Sequence, residues 1–277
     1  MSYMRFSKMH GAGNDFIVID QTSSVRQFTP ERVRQLCDRH KGIGGDGIIL
    51  LSKSGMPGQE HVVCMDFFNC DGSRAEMCGN GLRCAAAFAY KRCLAPGPDI
   101  TFATGAGMLR TRVLSNDRVR IELPLPEDGF RKMEEVPGYE IYAGKVGVPH
   151  AIVFVDDPEA LDIDQVGSFI RNHSAFAPEG TNVDFLPRNY DLTKPIPIRT
   201  YERGVEGETP ACGTGAGAAA AVLRQCNPHL QKVALLCASG DILEVEFPEH
   251  QTLSQGMYLT GPAEEAFHGA TGTFDLE

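Results

Sequence analysis

The sequence lacks the features of several large classes of protein. Its apolar runs are all shorter than a membrane-spanning helix. The first residues have neither the basic head nor the apolar core of a secretory signal. Lys and Arg are scattered rather than clustered and the formal net charge is −10, which disfavours binding to a phosphate backbone. We therefore expect a cytoplasmic protein that binds neither nucleic acid nor a membrane.

The cysteines lack the spacing of a disulfide framework or a zinc site. There are nine, an odd number in a chain without an export signal, and no two form a Cys-x-x-Cys pair. We therefore expect reduced thiols and no metal. Six are interpreted as small buried hydrophobic side chains, namely Cys37, Cys64, Cys84, Cys93, Cys226 and Cys237.

Two Cys-Gly-x-Gly motifs mark an internal repeat. Cys78 and Cys212 each open such a motif, and each motif runs into an alanine-rich segment. Upstream, GAGNDFIVID (11–20) parallels GVPHAIVFVD (147–156), which sets Asn14 opposite His150. The spacing from Asn14 to Cys78 nearly equals the spacing from His150 to Cys212. The chain therefore consists of two similar halves in the same order.

Each half is predicted to be an α/β (α+β) domain. The segments after the two cysteines are small and apolar on nearly every side, which is typical of a helix that a sheet surrounds. Shorter helices are predicted over 29–40, where Thr29 would cap, and over 158–172. The Pro- and Gly-containing segment 124–140 separates the halves, giving domains 1–126 and 127–277, the first completed by the last residues of the chain.

The paired cysteines suggest acid–base chemistry at one carbon. A cysteine at a helix N-terminus lies where the helix dipole favours a thiolate, and the glycines that follow leave backbone amides open to a carboxylate. Two such sites supply one base and one acid, which inversion at the Cα of an amino acid requires. The glycines of GIGGDG (42–47) lack the dinucleotide spacing and no lysine motif for pyridoxal phosphate is apparent, so we expect no cofactor. His150 and Glu202 are placed to tune the thiol pKa values.

Several segments resemble the diaminopimelate epimerase family over essentially the whole chain. The resemblance is carried by MHGAGNDFIVID, FNCDGSRAEMCGNGLRC, EGTNVDF and YERGVEGETPACGTGAGAAAAV. It implies an isomerase that interconverts LL- and meso-2,6-diaminopimelate in lysine biosynthesis without pyridoxal phosphate. It also implies two pseudo-symmetric domains, each a mixed sheet around a central helix, with the active site in the cleft between them and a homodimeric assembly.

The resemblance also implies roles for individual residues. Cys78 and Cys212 are the acid–base pair, and His150 and Glu202 modulate their pKa values. The reacting carboxylate is held by the amides of Gly79, Asn80, Gly213 and Thr214. The distal end of the substrate is bound by Asn14, Asn69, Asn182, Glu202 and Arg203, where a forked guanidinium suits a carboxylate.

Two positions depart from many family members. Val148 stands where many have asparagine, and Gly47 where some have glutamine. Both changes remove a polar side chain, so a racemase of another amino acid, such as histidine or proline, is the alternative within catalysis. A non-catalytic member of the wider superfamily, or a binding protein whose cysteines only make turns, is the alternative outside it. Facing thiols would also allow reversible oxidation to a Cys78–Cys212 disulfide.

Overall fold

The chain divides into two compact units of α/β structure. The computed structural model describes residues 3–272 except 24–26, 57–58, 60, 116, 127, 135, 137 and 249–255. One unit comprises Met1–Ile121 with Pro262–Glu277, and the other comprises Glu122–Gly261. The last strand of the chain therefore belongs to the first unit.

The strands are numbered in chain order. They are β1 (Met4–Gly11), β2 (Asn14–Asp20), β3 (Gly47–Lys53), β4 (Val62–Asn69), β5 (Arg74–Ala75), β6 (Asp99–Thr104), β7 (Gly107–Ser115), β8 (Arg118–Leu123), β9 (Arg131–Met133), β10 (Glu140–Val146), β11 (Val148–Val155), β12 (Asn182–Pro187), β13 (Ile196–Pro197), β14 (Arg199–Glu202), β15 (Gly207–Thr209), β16 (Lys232–Leu236), β17 (Ile242–Glu246), β18 (Met257–Pro262) and β19 (Glu264–Thr271). The helices are α1 (Pro30–Cys37), α2 (Gly79–Lys91), α3 (Ile163–Arg171) and α4 (Gly213–Cys226).

The two short helices begin at polar caps. Helix α1 has Thr29 as its N-cap, which confirms the predicted start, and it ends at Cys37 rather than 40. Helix α3 begins later than predicted, because the Asp162 side chain caps it by accepting from the Gln165 amide at 3.0 Å. The residues before that cap form a turn instead of a helical start.

The repeat predicted from the sequence is confirmed by the strand order. In the first unit β2 pairs in parallel with β3, β3 runs antiparallel to β4, and α2 and the antiparallel pair β6–β7 follow. In the second unit β11 pairs in parallel with β12, β12 runs antiparallel to β14, and α4 and the antiparallel pair β16–β17 follow. Each half thus repeats the same succession of parallel pair, antiparallel return, helix and hairpin.

Each unit wraps its strands around one central helix, as the apolar pattern predicts. Every residue from Gly79 to Ala89 in α2 is buried, and α2 contacts β1, β2, β3 and β7. Helix α4 is buried on nearly all sides and contacts β10, β11, β12 and β17. Alanine and glycine allow this close approach, because larger side chains would separate the helix from the strands. The predicted fold class is confirmed.

The interpretation of six cysteines as buried hydrophobic side chains holds only in part. Cys37, Cys84 and Cys237 are buried and Cys64 is partly buried. Cys93 and Cys226 are exposed, so the prediction is wrong for both. Cys226 is the last residue of α4, and Cys93 lies in the turn that follows α2, with a φ of 55°. The positions at helix ends account for this exposure. None of the nine cysteines forms a disulfide.

Gly47 begins β3 under the side chain of a neighbouring phenylalanine. A Cβ atom at this position would lie 2.5 Å from the carbonyl oxygen of Phe68 and 2.7 Å from the ring of Phe67. Phe67 itself packs edge-on against Phe16. This chain therefore fills with an aromatic ring the space that a side chain at position 47 would need.

Gly47→Ala should lower the free energy of unfolding of the protein by about 1–3 kcal/mol, because a buried Cβ would overlap backbone and ring atoms. Gly55→Ala is the matched control, since a Cβ there meets no atom within 4 Å. We expect that control to change stability by about 0.5 kcal/mol or less. Urea denaturation of both variants measures the difference, and equal stabilities would contradict this packing.

Candidate active site

The predicted site residues lie in two groups, one in each unit. The first unit contains Asn14, Asn69, Cys78, Gly79 and Asn80. The second unit contains His150, Asn182, Glu202, Arg203, Cys212, Gly213 and Thr214. In both groups the cysteine stands directly before the central helix.

Both cysteines are helix N-caps with the same geometry. Cys78 has extended backbone angles and its Sγ accepts from the Gly81 amide at 3.5 Å. Cys212 is also extended, and its Sγ accepts from the Gly215 amide at 3.4 Å. The first amides of a helix have no carbonyl partner within that helix, so they are suited to bind an anion. The sulfur and these amides thus converge at one helix end in each unit.

Asn14 orients the thiol of Cys78. Cys78 Sγ donates to Asn14 Oδ1 at 3.7 Å, and Asn80 Nδ2 donates to the same oxygen at 3.4 Å. Asn14 Nδ2 in turn donates to Asp46 Oδ2 at 2.6 Å. Because Asp46 can only accept, it fixes which end of the Asn14 amide faces the sulfur. Asp46 was missed in the sequence, where it lies in the glycine-rich segment GIGGDG (42–47).

A cluster of four charges holds Asp46 and the start of β2. Asp15 pairs with Lys8 at 2.6 Å and with Arg39 at 2.8 Å, and Arg39 also reaches Asp46 at 2.7 Å. Burial alone would raise the pKa of Asp15, but hydrogen bonds from Arg39 and Lys8 outweigh it and hold that pKa well below its usual range. Asp15 therefore stays ionised and anchors the residue next to Asn14.

Arg83 fixes the other side of this group. It is fully buried one turn into α2, and its Nη2 donates to Asn80 Oδ1 at 2.9 Å while its Nε donates to the carbonyl of Pro262 at 3.2 Å. The guanidinium thus sets the Asn80 amide so that its NH₂ faces Asn14. Sequence reasoning missed Arg83, although a charged residue in an otherwise apolar helix was the available signal.

Asn69 occupies the end of β4, opposite Gly47 in the pairing with β3. Its Nδ2 donates to Ser73 Oγ at 3.0 Å within the tight turn that follows. It is partly buried. No direct hydrogen bond between Asn69 and the Asn14–Cys78 group is found among the described residues.

The environment of Cys212 keeps its thiol protonated. Burial raises the pKa of Cys212 well above the ordinary value for a thiol, and the nearby carboxylates of Glu202 and Asp184 raise it further. Hydrogen bonds from Thr214 and the Gly215 amide oppose these effects without overcoming them. The helix N-terminus was predicted to favour a thiolate, but at Cys212 desolvation has the larger effect on the pKa.

Asn182 and Arg203 contact one another in the second unit. Asn182 is buried at the start of β12, and its Oδ1 accepts from the Arg203 backbone amide at 2.8 Å. The Arg203 side chain is partly buried, and its Nη1 donates to the carbonyl of Glu179 at 3.3 Å. Glu202 ends β14 and is partly buried. These contacts hold the turn that carries Glu202 and Arg203.

His150 is buried in β11, and its ring contacts a carboxylate that sequence reasoning missed. His150 Nδ1 lies 2.8 Å from Asp184 Oδ2, and Thr200 Oγ donates to Asp184 Oδ1 at 2.7 Å. The signal in the sequence was the acid inside TNVDF, a segment otherwise typical of a buried strand. Val148 begins the same strand as His150, where it pairs with Val146 and is partly buried.

The described residues contain neither a metal-binding cluster nor a membrane-spanning helix. No cluster of three or more His, Cys, Asp or Glu side chains in the described ranges has the arrangement of a metal site. No helix in that part of the chain is both long and apolar enough to cross a membrane.

A family model described as diaminopimelate epimerase matches residues 6–123 and 142–265. The chain belongs to the diaminopimelate epimerase family. One relative of that name, from Aquifex aeolicus, is 41% identical over 99% of this chain and 100% of its own length. Another, from Chlorobaculum tepidum, is 39% identical over 94% of this chain and 98% of its own. The family resemblance drawn from the motifs is confirmed.

Solved structures with the epimerase-family fold are similar at low identity. A PhzF-family phenazine biosynthesis protein from Bacillus anthracis aligns with a TM-score of 0.74 at 14% identity, covering 99% of this chain and 100% of that one. A hydroxyproline epimerase from Agrobacterium vitis aligns with a TM-score of 0.65 at 15% identity, covering 99% and 93%. These likenesses establish the two-domain epimerase fold and nothing finer.

The raised pKa of Cys212 predicts a distinctive pH dependence of alkylation. Iodoacetamide reacts with the thiolate, so labelling of Cys212 in the native protein should be slow at neutral pH and should still rise above the ordinary pKa of a thiol. Exposed Cys226 on the same helix should react faster at neutral pH. Peptide mass spectrometry across the pH range measures both rates.

Burial also limits access to Cys212, so the unfolded chain is the control for this measurement. In denaturant the burial and the neighbouring carboxylates are lost, and Cys212 should label at the same rate as Cys226. A native labelling rate at Cys212 that levels off near pH 7 would contradict the protonated thiol.

Proposed function

We propose that this protein epimerises LL-2,6-diaminopimelate to meso-2,6-diaminopimelate through two cysteines and without a cofactor. The observation that carries the proposal is the pair of equivalent helix caps, Cys78 on α2 and Cys212 on α4, each with its sulfur beside the first amides of a buried helix. Family membership names the reaction. The product serves lysine and peptidoglycan precursor synthesis.

The reaction moves one proton on and one proton off the same carbon. Cys78 loses to solvent the proton that its thiol donates to Asn14, and the resulting thiolate removes the α-proton and becomes a thiol again. The thiol of Cys212 delivers its proton to the opposite face and becomes a thiolate. The raised pKa of Cys212 supports its role as the resting acid. In the reverse direction the two sulfurs exchange roles.

The carbanion formed between these steps needs stabilisation at its carboxylate. The amides of Gly79 and Asn80 at the start of α2, and of Gly213 and Thr214 at the start of α4, are suited to this task. They are fixed in the helix before substrate arrives, so little reorganisation accompanies the build-up of charge. This replaces the electron sink that a pyridoxal cofactor supplies in other enzymes.

Selectivity would come from the second amino acid head of the substrate. Arg203 offers a forked donor to its carboxylate, and Glu202 accepts from its ammonium group. Asn14, Asn69 and Asn182 supply amide contacts. A substrate that lacks this second head would leave buried polar groups without partners, which costs more than the loss of a methylene contact.

The alternative of a racemase for histidine or proline is tested by the same assay. Chiral chromatography on LL-diaminopimelate should show conversion to the meso form. Absence of conversion, together with turnover of histidine or proline, would overturn the assignment of substrate while keeping the two-thiol chemistry.

Cys78→Ala and Cys212→Ala should each lower the epimerisation rate by about 10³-fold or more, because each removes the acid or the base. Cys70→Ala and Cys226→Ala are the controls, since both thiols are exposed and outside the proposed site. Those controls should retain activity. Full activity in either catalytic variant would exclude the two-base mechanism.

Isotope incorporation separates two bases from one. In D₂O, product collected at low conversion should carry deuterium at the inverted carbon while the remaining LL substrate stays unlabelled. A single base that exchanges with solvent would label both. Equal labelling of substrate and product at low conversion would therefore contradict the assignment of both sulfurs.

We further infer that the protein acts as a homodimer in the cytoplasm, an inference supported by the family resemblance. Light scattering coupled to size-exclusion chromatography should give twice the 30.1 kDa mass of the chain. A monomer at the concentration of the assay would contradict the dimer and leave the chemistry unaffected.

A further inference from the structure

Three buried polar side chains form a group in the second unit that has no part in the proposed proton transfers. His150 lies on β11, Asp184 on β12 and Thr200 on β14. The register brings them together, because His150 pairs with the residue two before Asp184, and Asp184 pairs directly with Thr200. All three are buried, and the His150 and Asp184 side chains are 0% exposed.

The contacts define which ring nitrogen of His150 carries its hydrogen. An ionised carboxylate can only accept hydrogen bonds. Asp184 accepts from Thr200 Oγ at 2.7 Å on one oxygen and faces His150 Nδ1 at 2.8 Å on the other. The neutral imidazole paired with this carboxylate therefore carries its hydrogen on Nδ1, and the lone pair is on Nε2.

The second ring nitrogen of His150 has no partner in the described part of the chain. His150 Nε2 is buried, yet it makes no hydrogen bond to any described residue. A buried polar atom without a partner destabilises the fold, and native proteins keep few of them. A polar atom held in this way is typical of a group whose partner arrives with the ligand or during the reaction.

Helix α4 approaches the same carboxylate through a glycine. A Cβ atom on Gly215 would lie 2.2 Å from Asp184 Oδ1, so a larger residue has no room there. Gly215 is also the residue whose amide donates to Cys212 Sγ. The Asp184 carboxylate thus packs against the first turn of the helix that follows the proposed catalytic thiol.

We propose that Asp184 is a positioning residue that holds neutral His150 as the Nδ1–H tautomer and thereby presents the Nε2 lone pair as a hydrogen-bond acceptor to the reacting complex. The arrangement has the logic of a catalytic triad, in which a buried carboxylate sets the tautomer and orientation of a histidine. The effect on turnover rests on the proposed function, whereas the tautomer does not.

Long-range ¹H–¹⁵N NMR of the unmodified protein tests the tautomer directly. The His150 signals are assigned by their loss in His150→Asn. The chemical shifts should show a protonated Nδ1 and an unprotonated Nε2 in the neutral ring. The opposite tautomer would overturn the proposal, whatever the activity of the protein.

Asp184→Asn tests the effect on catalysis. It preserves size but removes the charge, and we expect kcat to fall at least tenfold with KM within about threefold, since substrate contacts are unchanged. Asp162→Asn is the matched control, because asparagine caps a helix as well as aspartate does and the change in net charge is the same. That control should keep the parent kcat. An unchanged kcat in Asp184→Asn would overturn the positioning role.

The two measurements separate the possible failures. If the chain does not epimerise diaminopimelate, the tautomer is still read from the unmodified protein, so the proposed function fails alone. If epimerisation is present and the ring carries its hydrogen on Nε2, this inference fails alone. Circular dichroism of Asp184→Asn establishes that the variant is folded, and an unfolded variant leaves the NMR result to decide.

Discussion

The rest of the structure depends on one contact, the hydrogen bond from a backbone amide to a cysteine sulfur at the cap of a buried helix. Cys78 makes it with Gly81 and Cys212 with Gly215. With the sulfur as cap, the remaining first-turn amides stay available for a ligand. A helix whose N-terminus binds a ligand needs a fixed position, which the surrounding strands provide. Their close packing requires the alanines and glycines that follow each cysteine. The surrounding sheet, the composition of the helix and the chemistry of the site thus all relate to the cysteine cap of a buried helix.

The two caps share their geometry but differ in their surroundings. Cys78 faces the amide oxygen of Asn14, whose orientation is set by Asp46. Cys212 is buried near Glu202 and Asp184, and its pKa is raised. The proposed reaction starts from one thiol and one thiolate, and these surroundings distinguish the two sulfurs. The two caps therefore have the same backbone geometry, whereas the side chains around them differ.

The features read correctly from the sequence are those that a local pattern encodes. The matching order around Asn14 and His150 predicts the repeated strands, and the alanine-rich runs predict the central helices. The exposure of Cys93 and Cys226 was missed because it depends on where each helix ends. Asp46 was missed because its partner Asn14 is distant in sequence, and Arg83 because its contact with Pro262 forms only in the folded unit. The space that Phe67 takes above Gly47 arises only when β3 and β4 pair. The sequence pattern predicts the helices and strands, whereas the contacts of each side chain depend on strand register and tertiary packing.

Gly215 shows how a single residue can satisfy two of these demands at once. In the sequence it is the second glycine of a Cys-Gly-x-Gly motif, explained by the need for uncovered amides. In the structure its amide binds the Cys212 sulfur while its missing side chain admits the Asp184 carboxylate. Gly81, its counterpart on α2, instead lies beside Ile49, and a Cβ there would meet that side chain at 3.2 Å. The second glycine of the motif thus lies against a carboxylate in one unit and against an apolar side chain in the other. That carboxylate, Asp184, is one of the groups that raise the pKa of Cys212.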